Sequence, residues 1–385
     1  MLVSALVPQR ALIGTPSSLS YASSSTRNFE QSRNKKDVFR LAESISSSAS
    51  GNLNNNTGEA TKSLSSFLSV MWRFTRPHTI IGSALAIPSL HILAAPSYAE
   101  ALTVRSICSM VYAMVPALLM NLYITGLNQI TDVEIDKINK PDLPIAKGDL
   151  SVKTATITVV LSLILSLAMG VAGSPAFATE GLNMALGWSA ILGTLYSLSP
   201  FRLKRFPLLA AFCIVSVRGA VINAGFFAHA KIAAYGGAAA SGSVLGLLAN
   251  DPRCALSSLY FAVFGLVIAL MKDVPDIKGD ELSNIRTVSV RLGAKTVFRT
   301  MHRLLTGLFW GASIAFLRGA IVNDTASMAV RLGRALVGIS GLWAGASVQK
   351  EAAPVDPEDS KEVYSYYMHL WKLFYLSYFV LPLAR

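Results

Sequence analysis

Long apolar runs separated by short polar connections fill this chain from about residue 79 to its end. They fall at about 79–95, 107–131, 154–173, 181–199, 207–228, 255–271, 297–317, 326–348 and 366–384. Most are near the roughly 20 residues that a helix needs to cross a bilayer. Lipid offers the backbone no hydrogen-bond partner, so runs of this kind are stable there as helices. The pattern predicts an all-α, polytopic membrane protein with about nine transmembrane helices in one bundle. No internal polar stretch is long enough for a second domain, so residues 66–385 read as one transmembrane unit.

Composition agrees, with 52% hydrophobic and only 15% charged residues and a mean hydropathy of +0.48, far from soluble averages. Residues 1–65 differ: they are rich in Ser and Asn, with scattered Arg and Lys and few acids. That is the composition of an organellar transit peptide, or, on a second reading, of a disordered tail. Cys108, Cys213 and Cys254, and the five histidines at 78, 91, 229, 302 and 369, have no metal-ligand spacing. The net charge of +12 raises nucleic acid as a partner. Its cations, however, sit in short loops between apolar segments, which excludes that class and fits a membrane-lipid surface instead. The sequence carries no signal for oligomeric state.

Those loop cations are unevenly placed. Connections after the second, fourth and sixth segments carry Lys137, Lys140, Lys147 and Lys153, then Arg202, Lys204 and Arg205, then Lys272, Lys278, Arg286, Arg291, Lys295 and Arg299. The intervening connections hold few. The positive-inside rule therefore puts the even loops on the cytoplasmic side or its organellar equivalent. Arg318, Arg331 and Arg334, near the seventh connection, run against this parity.

Two acidic clusters end apolar runs on that same side. The first holds Asn128, Asp132 and Asp136, spaced i, i+4, i+8, and the second Asp273, Asp276 and Asp280, spaced i, i+3, i+7. On continuous helices these spacings put each cluster on one face. Carboxylates at the mouth of a membrane helix need a compensating charge. Oxygen donors of this kind suit Mg²⁺, which keeps several waters and completes its shell with substrate phosphates. All six are candidate metal ligands, with Asp132, Asp136, Asp273 and Asp276 as the catalytic core. Glu134 lies off their face. Pro275 and Gly279 predict that the second helix frays into a loop. Candidate substrate contacts are Asn128, Arg76 and His78 before the first segment, Tyr196, Arg202 and Lys204 around the fourth connection, Lys272, and Arg218, a cation inside the fifth apolar run that requires a partner or a polar cavity.

The pattern N-x-x-x-D-x-x-x-D, then Tyr196-Ser-x-x-Pro-x-Arg202-x-Lys204, then D-x-x-D-x-x-x-D resembles the UbiA superfamily of intramembrane prenyltransferases. Longer strings, Arg76-Pro-His-Thr-Ile-Ile-Gly82, Gly126 to Pro141, Lys272 to Asp280 and Trp371-Lys-Leu-Phe-Tyr375, are similar to the plastid homogentisate prenyltransferases. Asp132-Val-Glu-Ile-Asp136 and Ile285-Arg-Thr-Val-Ser-Val290 look like the phytyl-transferring members. Ala146-Lys-Gly-Asp-Leu-Ser151 and Val217-Arg-Gly219 look like the solanesyl-transferring ones. Leu143 stands where branches that prenylate 4-hydroxybenzoate carry Arg. The resemblance implies Mg²⁺-dependent transfer of a prenyl group, phytyl first, from prenyl diphosphate to homogentisate with decarboxylation. It also implies a plastid membrane location with the active-site loops facing the stroma. Small residues such as Ala220 and Gly225 are expected to set how far the prenyl cleft stays open. The alternatives are a chlorophyll- or haem-prenylating relative and a cation-coupled transporter, which needs its carboxylates near the bilayer midplane.

Overall fold

The computed structural model describes residues 65–236, 243–282, 286–322 and 327–385. These belong to one compact unit, Leu64–Arg385. The expected transit peptide lies, up to residue 64, outside the described residues, as does Ile285.

Nine long helices occupy the nine predicted segments among the described residues: α1 Pro77–Ala94, α2 Val104–Thr131, α4 Val152–Val171, α5 Glu180–Ser197, α6 Pro207–Ala234, α7 Pro252–Lys272, α10 Ala294–Val322, α11 Met328–Ala352 and α12 Ser360–Val380. Three short helices follow acid- or base-rich sequence at one end of the bundle: α3 Val133–Asn139, α8 Ile277–Leu282 and α9 Val288–Leu292. No strand occurs among the described residues. By length and composition, six helices can cross a membrane: α1, α2, α4, α6, α7 and α10. Of the other three, α11 carries Arg331, Arg334 and Lys350, and α12 carries Lys361, Glu362 and Lys372.

Local chemistry starts these helices where the sequence does. Thr103, Ser151, Thr179 and Ser327 each accept a backbone N–H from the first turn through the side-chain oxygen, as does Asp359 before α12. Pro77, Pro207 and Pro252 occupy first-turn positions, where the missing N–H costs nothing. The helices pack through small residues. A Cβ on Gly219 of α6 would stand 2.4 Å from the Ala262 Cβ of α7, and one on Gly225 would stand 2.9 Å from the Ala185 Cβ of α5. Such close approach is how helices gain van der Waals contact in lipid.

Far along α1 and α6 from the acidic clusters, a buried polar chain ties four helices together. His91 Nδ1 lies 2.8 Å from the Ile87 carbonyl, which can only accept, so Nδ1 carries the proton. His91 Nε2 then accepts from the Ser109 hydroxyl at 3.3 Å. Ser109 in turn accepts from His229 Nε2 at 3.1 Å, and His229 Nδ1 accepts from Thr179 at 2.8 Å. Every member is satisfied without a charge, which suits a group buried in a membrane bundle.

The acidic and basic loops converge on one end of the bundle. Single cysteines at positions 147 and 278, on a cysteine-free background, are therefore expected to react with an impermeant thiol reagent from one side of the membrane, and a cysteine at 180 from the other. Labelling of 147 and 278 from opposite sides contradicts this arrangement.

Candidate active site

The first acidic cluster is not one continuous helical face. α2 stops at Thr131, Asp132 adopts φ −117° and ψ 15°, and α3 restarts at Val133. The break turns the Asp132 carboxylate onto three partners. Asn128 Nδ2 donates to Oδ2 at 2.8 Å and Arg202 Nη2 to Oδ1 at 2.9 Å, while Lys204 Nζ bonds the same Oδ1. Asp136 is buried on α3, whereas Glu134 is exposed and pairs with Lys137 at 2.8 Å.

The second cluster frays as its proline predicts. α7 ends at Lys272, Asp273 caps it, and the chain turns through Pro275 into α8, which carries Asp280. Lys140, just past α3, bonds the Asp276 carboxylate and so bridges the two clusters. Gly279 allows the approach, because a Cβ there would fall 1.9 Å from Asn139 Oδ1.

All six expected ligands, Asn128, Asp132, Asp136, Asp273, Asp276 and Asp280, line one cavity of about 60 Å³, together with Arg76, Tyr196, Lys204 and Lys272. Burial pushes the Asp136 carboxyl up to about 6, against the opposing pull of Arg76 and Lys140. Burial, then the charges of Asp273 and Asp276, pushes Asp280 up to about 7. Asp273 is also raised, chiefly by burial, and Lys204 is lowered by the same cause. Burial, more than mutual repulsion, raises these carboxyls, and Arg76, Lys140, Lys204 and Lys272 stand among them. Among the described residues no three metal-binding side chains stand close enough to hold one ion together. Magnesium asks for less, one or two carboxylates plus water and phosphate oxygens, and the donor set fits it.

A second cavity, of about 210 Å³, shares Arg76, Asn128, Tyr196 and Lys272 with the first. Its walls are mostly apolar, with Ala117, Met120, Leu186 and Phe226 among them, and it also holds His78, Arg218, Tyr367 and Trp371. Ala220 and Gly225 do not line it. Ala220 is exposed, and Gly225 is consumed in the contact with Ala185 and Gly181, so the expected control of cleft length passes to other residues.

The expected substrate contacts thus divide. Arg76, Tyr196 and Lys272 line both cavities, Lys204 the acidic one, and His78 and Arg218 the apolar one. Arg202 lines neither and donates instead to Asp132. Arg76 and Arg202 both hold left-handed backbone, φ 53° and 39°, a conformation unusual for residues with a Cβ. Lys140 was not among the residues expected from sequence, although it stands four residues after Asp136. Trp371 and Tyr367 likewise had no role there.

An apolar chamber that opens onto a charged mouth serves an enzyme whose substrate is anionic at one end and hydrocarbon at the other. Residues 82–373 match the UbiA prenyltransferase family, and the chain belongs to that family. It is a prenyltransferase of the homogentisate group. It is 37% identical to the homogentisate phytyltransferase of Synechocystis sp. over 82% of this chain and 96% of that one. It is 38% identical to the chloroplastic homogentisate phytyltransferase 1 of Arabidopsis thaliana, over 84% and 77%. The homogentisate solanesyltransferase of the same plant is 32% identical, over 82% and 76%. In fold it is similar to a UbiA homolog from Archaeoglobus fulgidus bound to DMAPP and Mg²⁺, with TM-score 0.50 and 17% identity over 81% of this chain and 98% of that one.

Proposed function

We propose that the protein transfers a prenyl group, phytyl in the first place, from its diphosphate to homogentisate, with loss of the acceptor's carboxyl group and release of pyrophosphate. The proposed setting is a plastid membrane, with the acidic mouth toward the stroma. The observation that carries this reading is the convergence of both acidic clusters on one cavity that shares walls with an apolar chamber.

Asn128, Asp132, Asp136, Asp273, Asp276 and Asp280 are the residues from which one or two carboxylates at a time would hold Mg²⁺, which would supply charge to stabilise a diphosphate leaving group. Lys204, Lys140 and Arg76 stand among the acids and offer donors to phosphate oxygens. As the carbon–oxygen bond to the diphosphate breaks, these cations meet charge that develops on the leaving group. The apolar wall of Met120, Leu186 and Phe226 keeps water from the allylic carbon. The electron-rich ring of the acceptor then attacks that carbon.

The test is turnover of the purified protein in lipid with homogentisate and phytyl, geranylgeranyl or solanesyl diphosphate. Phytyl diphosphate is expected to react fastest, and chelation of Mg²⁺ to abolish product. Product formation that ignores the chelator, or none with homogentisate, contradicts the reading. Val217 and Arg218, which line the chamber, belong to a string similar to solanesyl-transferring members, so solanesyl diphosphate is the second donor.

Lys204→Ala is expected to raise the KM for prenyl diphosphate about tenfold and leave that for homogentisate unchanged, as loss of one charge-assisted bond to the donor predicts. Arg202→Ala, outside the cavity, has the smaller effect. Unchanged KM values in both variants assign the basic loop to membrane orientation alone.

A further inference from the structure

The sequence makes Arg218 a candidate substrate contact that needs a partner or a polar cavity within its apolar run. Arg218 lines the apolar chamber and not the acidic cavity. Its guanidinium makes no ion pair among the described residues, and its partners are ring faces: Trp371 at 4.9 Å and Phe374 at 5.8 Å from the ring centroids. An intramembrane cation held only by π faces retains most of its donor capacity.

Its position is built rather than incidental. Arg218 lies in a π-helical turn, Ser216–Val221, and such turns free backbone carbonyls from the helical ladder. Asn223 Nδ2 takes up two carbonyls, those of Arg218 at 2.6 Å and Gly219 at 2.9 Å, and its Oδ1 accepts from Tyr378 at 3.2 Å. Gly265 on α7 leaves room for the arginine stem, since a Cβ there would meet the Arg218 Cβ at 3.0 Å. Beside the guanidinium, the Trp371 indole N–H is buried and makes no hydrogen bond of good geometry, with the Tyr367 hydroxyl beside it. His78 and Tyr367 stand edge-on to the same indole at 5.2 and 6.3 Å.

We propose that Arg218 and the Trp371 N–H form the subsite for the carboxylate of the aromatic acceptor, leaving the diphosphate to the acidic mouth. A planar guanidinium fork matches a carboxylate, the indole N–H adds a donor, and the aromatic walls suit a ring carrying that carboxylate. The diphosphate has Lys204, Lys140 and Arg76 at the mouth, where its metal ligands also lie. This inference rests on the reading of homogentisate as acceptor and deepens it by assigning the charge that recognises an arylacetate.

The experiment compares wild type, Arg218→Gln, Arg218→Lys and Trp371→Phe in lipid nanodiscs. It measures turnover and calorimetric binding of homogentisate and of its neutral amide, 2,5-dihydroxyphenylacetamide. Arg218→Gln is expected to weaken homogentisate binding and raise its KM by about tenfold to a hundredfold, with the KM for prenyl diphosphate within about twofold of wild type. Amide binding is expected to stay unchanged, so the preference for the anion disappears. Arg218→Lys recovers part of that preference. Trp371→Phe, which keeps the ring and removes the N–H, costs several-fold in homogentisate affinity. Equal binding of homogentisate by wild type and Arg218→Gln overturns the inference, as does a rise confined to the KM of prenyl diphosphate or an equal loss for acid and amide. A wild type that neither binds nor consumes homogentisate contradicts the proposed acceptor itself, and the subsite with it.

Discussion

Asp276→Asn is expected to lower turnover by at least about a hundredfold while the protein stays folded in the membrane. On the proposed reading this carboxylate helps hold the Mg²⁺ that stabilises the leaving group, and losing one electrostatic partner of that kind costs about this much. Its cation Lys140 is 22% exposed along the side chain, so water can take over the lost pairing. Asp132→Asn is expected to abolish turnover equally but to destabilise the fold as well. Lys204 is only 9% exposed, and a buried cation stripped of its partner costs about 3–5 kcal/mol. Turnover assays with circular dichroism and size-exclusion chromatography on both variants separate chemistry from folding. Wild-type rates in Asp276→Asn remove the metal assignment.

Gly219→Val is the largest expected effect outside the acidic mouth. A Cβ at that position would lie 2.4 Å from the Ala262 Cβ and 2.8 Å from its Cα. The obstacle includes backbone, so no rotamer change can clear it, and α6 must move off α7. That shift would carry Arg218 away from Trp371 and disturb the wall that presents Lys272. Overpacking costs about 1–3 kcal/mol, occasionally more, and thermal unfolding should show a clear drop in Tm together with lost activity. Gly187→Ala makes the control, since nothing stands within 4 Å of the new methyl. An unchanged Tm in Gly219→Val contradicts this packing of α6 on α7.

The helices were legible because apolar length speaks locally. Pro275 announced the turn between α7 and α8 for the same reason, since proline acts on its own backbone. The break at Asp132 was not legible. Nothing between Thr131 and Val133 forbids a continuous helix, and it is the bonds from Arg202 and Lys204, about seventy residues away in the chain, that hold the carboxylate off the helical line. The six candidate ligands were readable as two spaced clusters, but Lys140 was hidden, because its partner Asp276 is brought close only by the fold. Arg218 was noticed as a cation in an apolar run, yet its aromatic partners lie on α12, and pattern alone does not pair α6 with α12. Gly225 misled for a related reason: a small residue looks the same whether it opens a cleft or closes a helix contact.

The central claim is that the two acidic clusters act together on one metal-bound diphosphate. Binding of phytyl diphosphate to the purified protein in nanodiscs, measured by calorimetry with and without Mg²⁺, tests it most directly. Tight, Mg²⁺-dependent binding is expected in the wild type, with loss of that Mg²⁺ dependence in both Asp132→Asn and Asp276→Asn. Binding of equal strength with and without Mg²⁺, or dependence that survives when either cluster loses its charge, would contradict the claim.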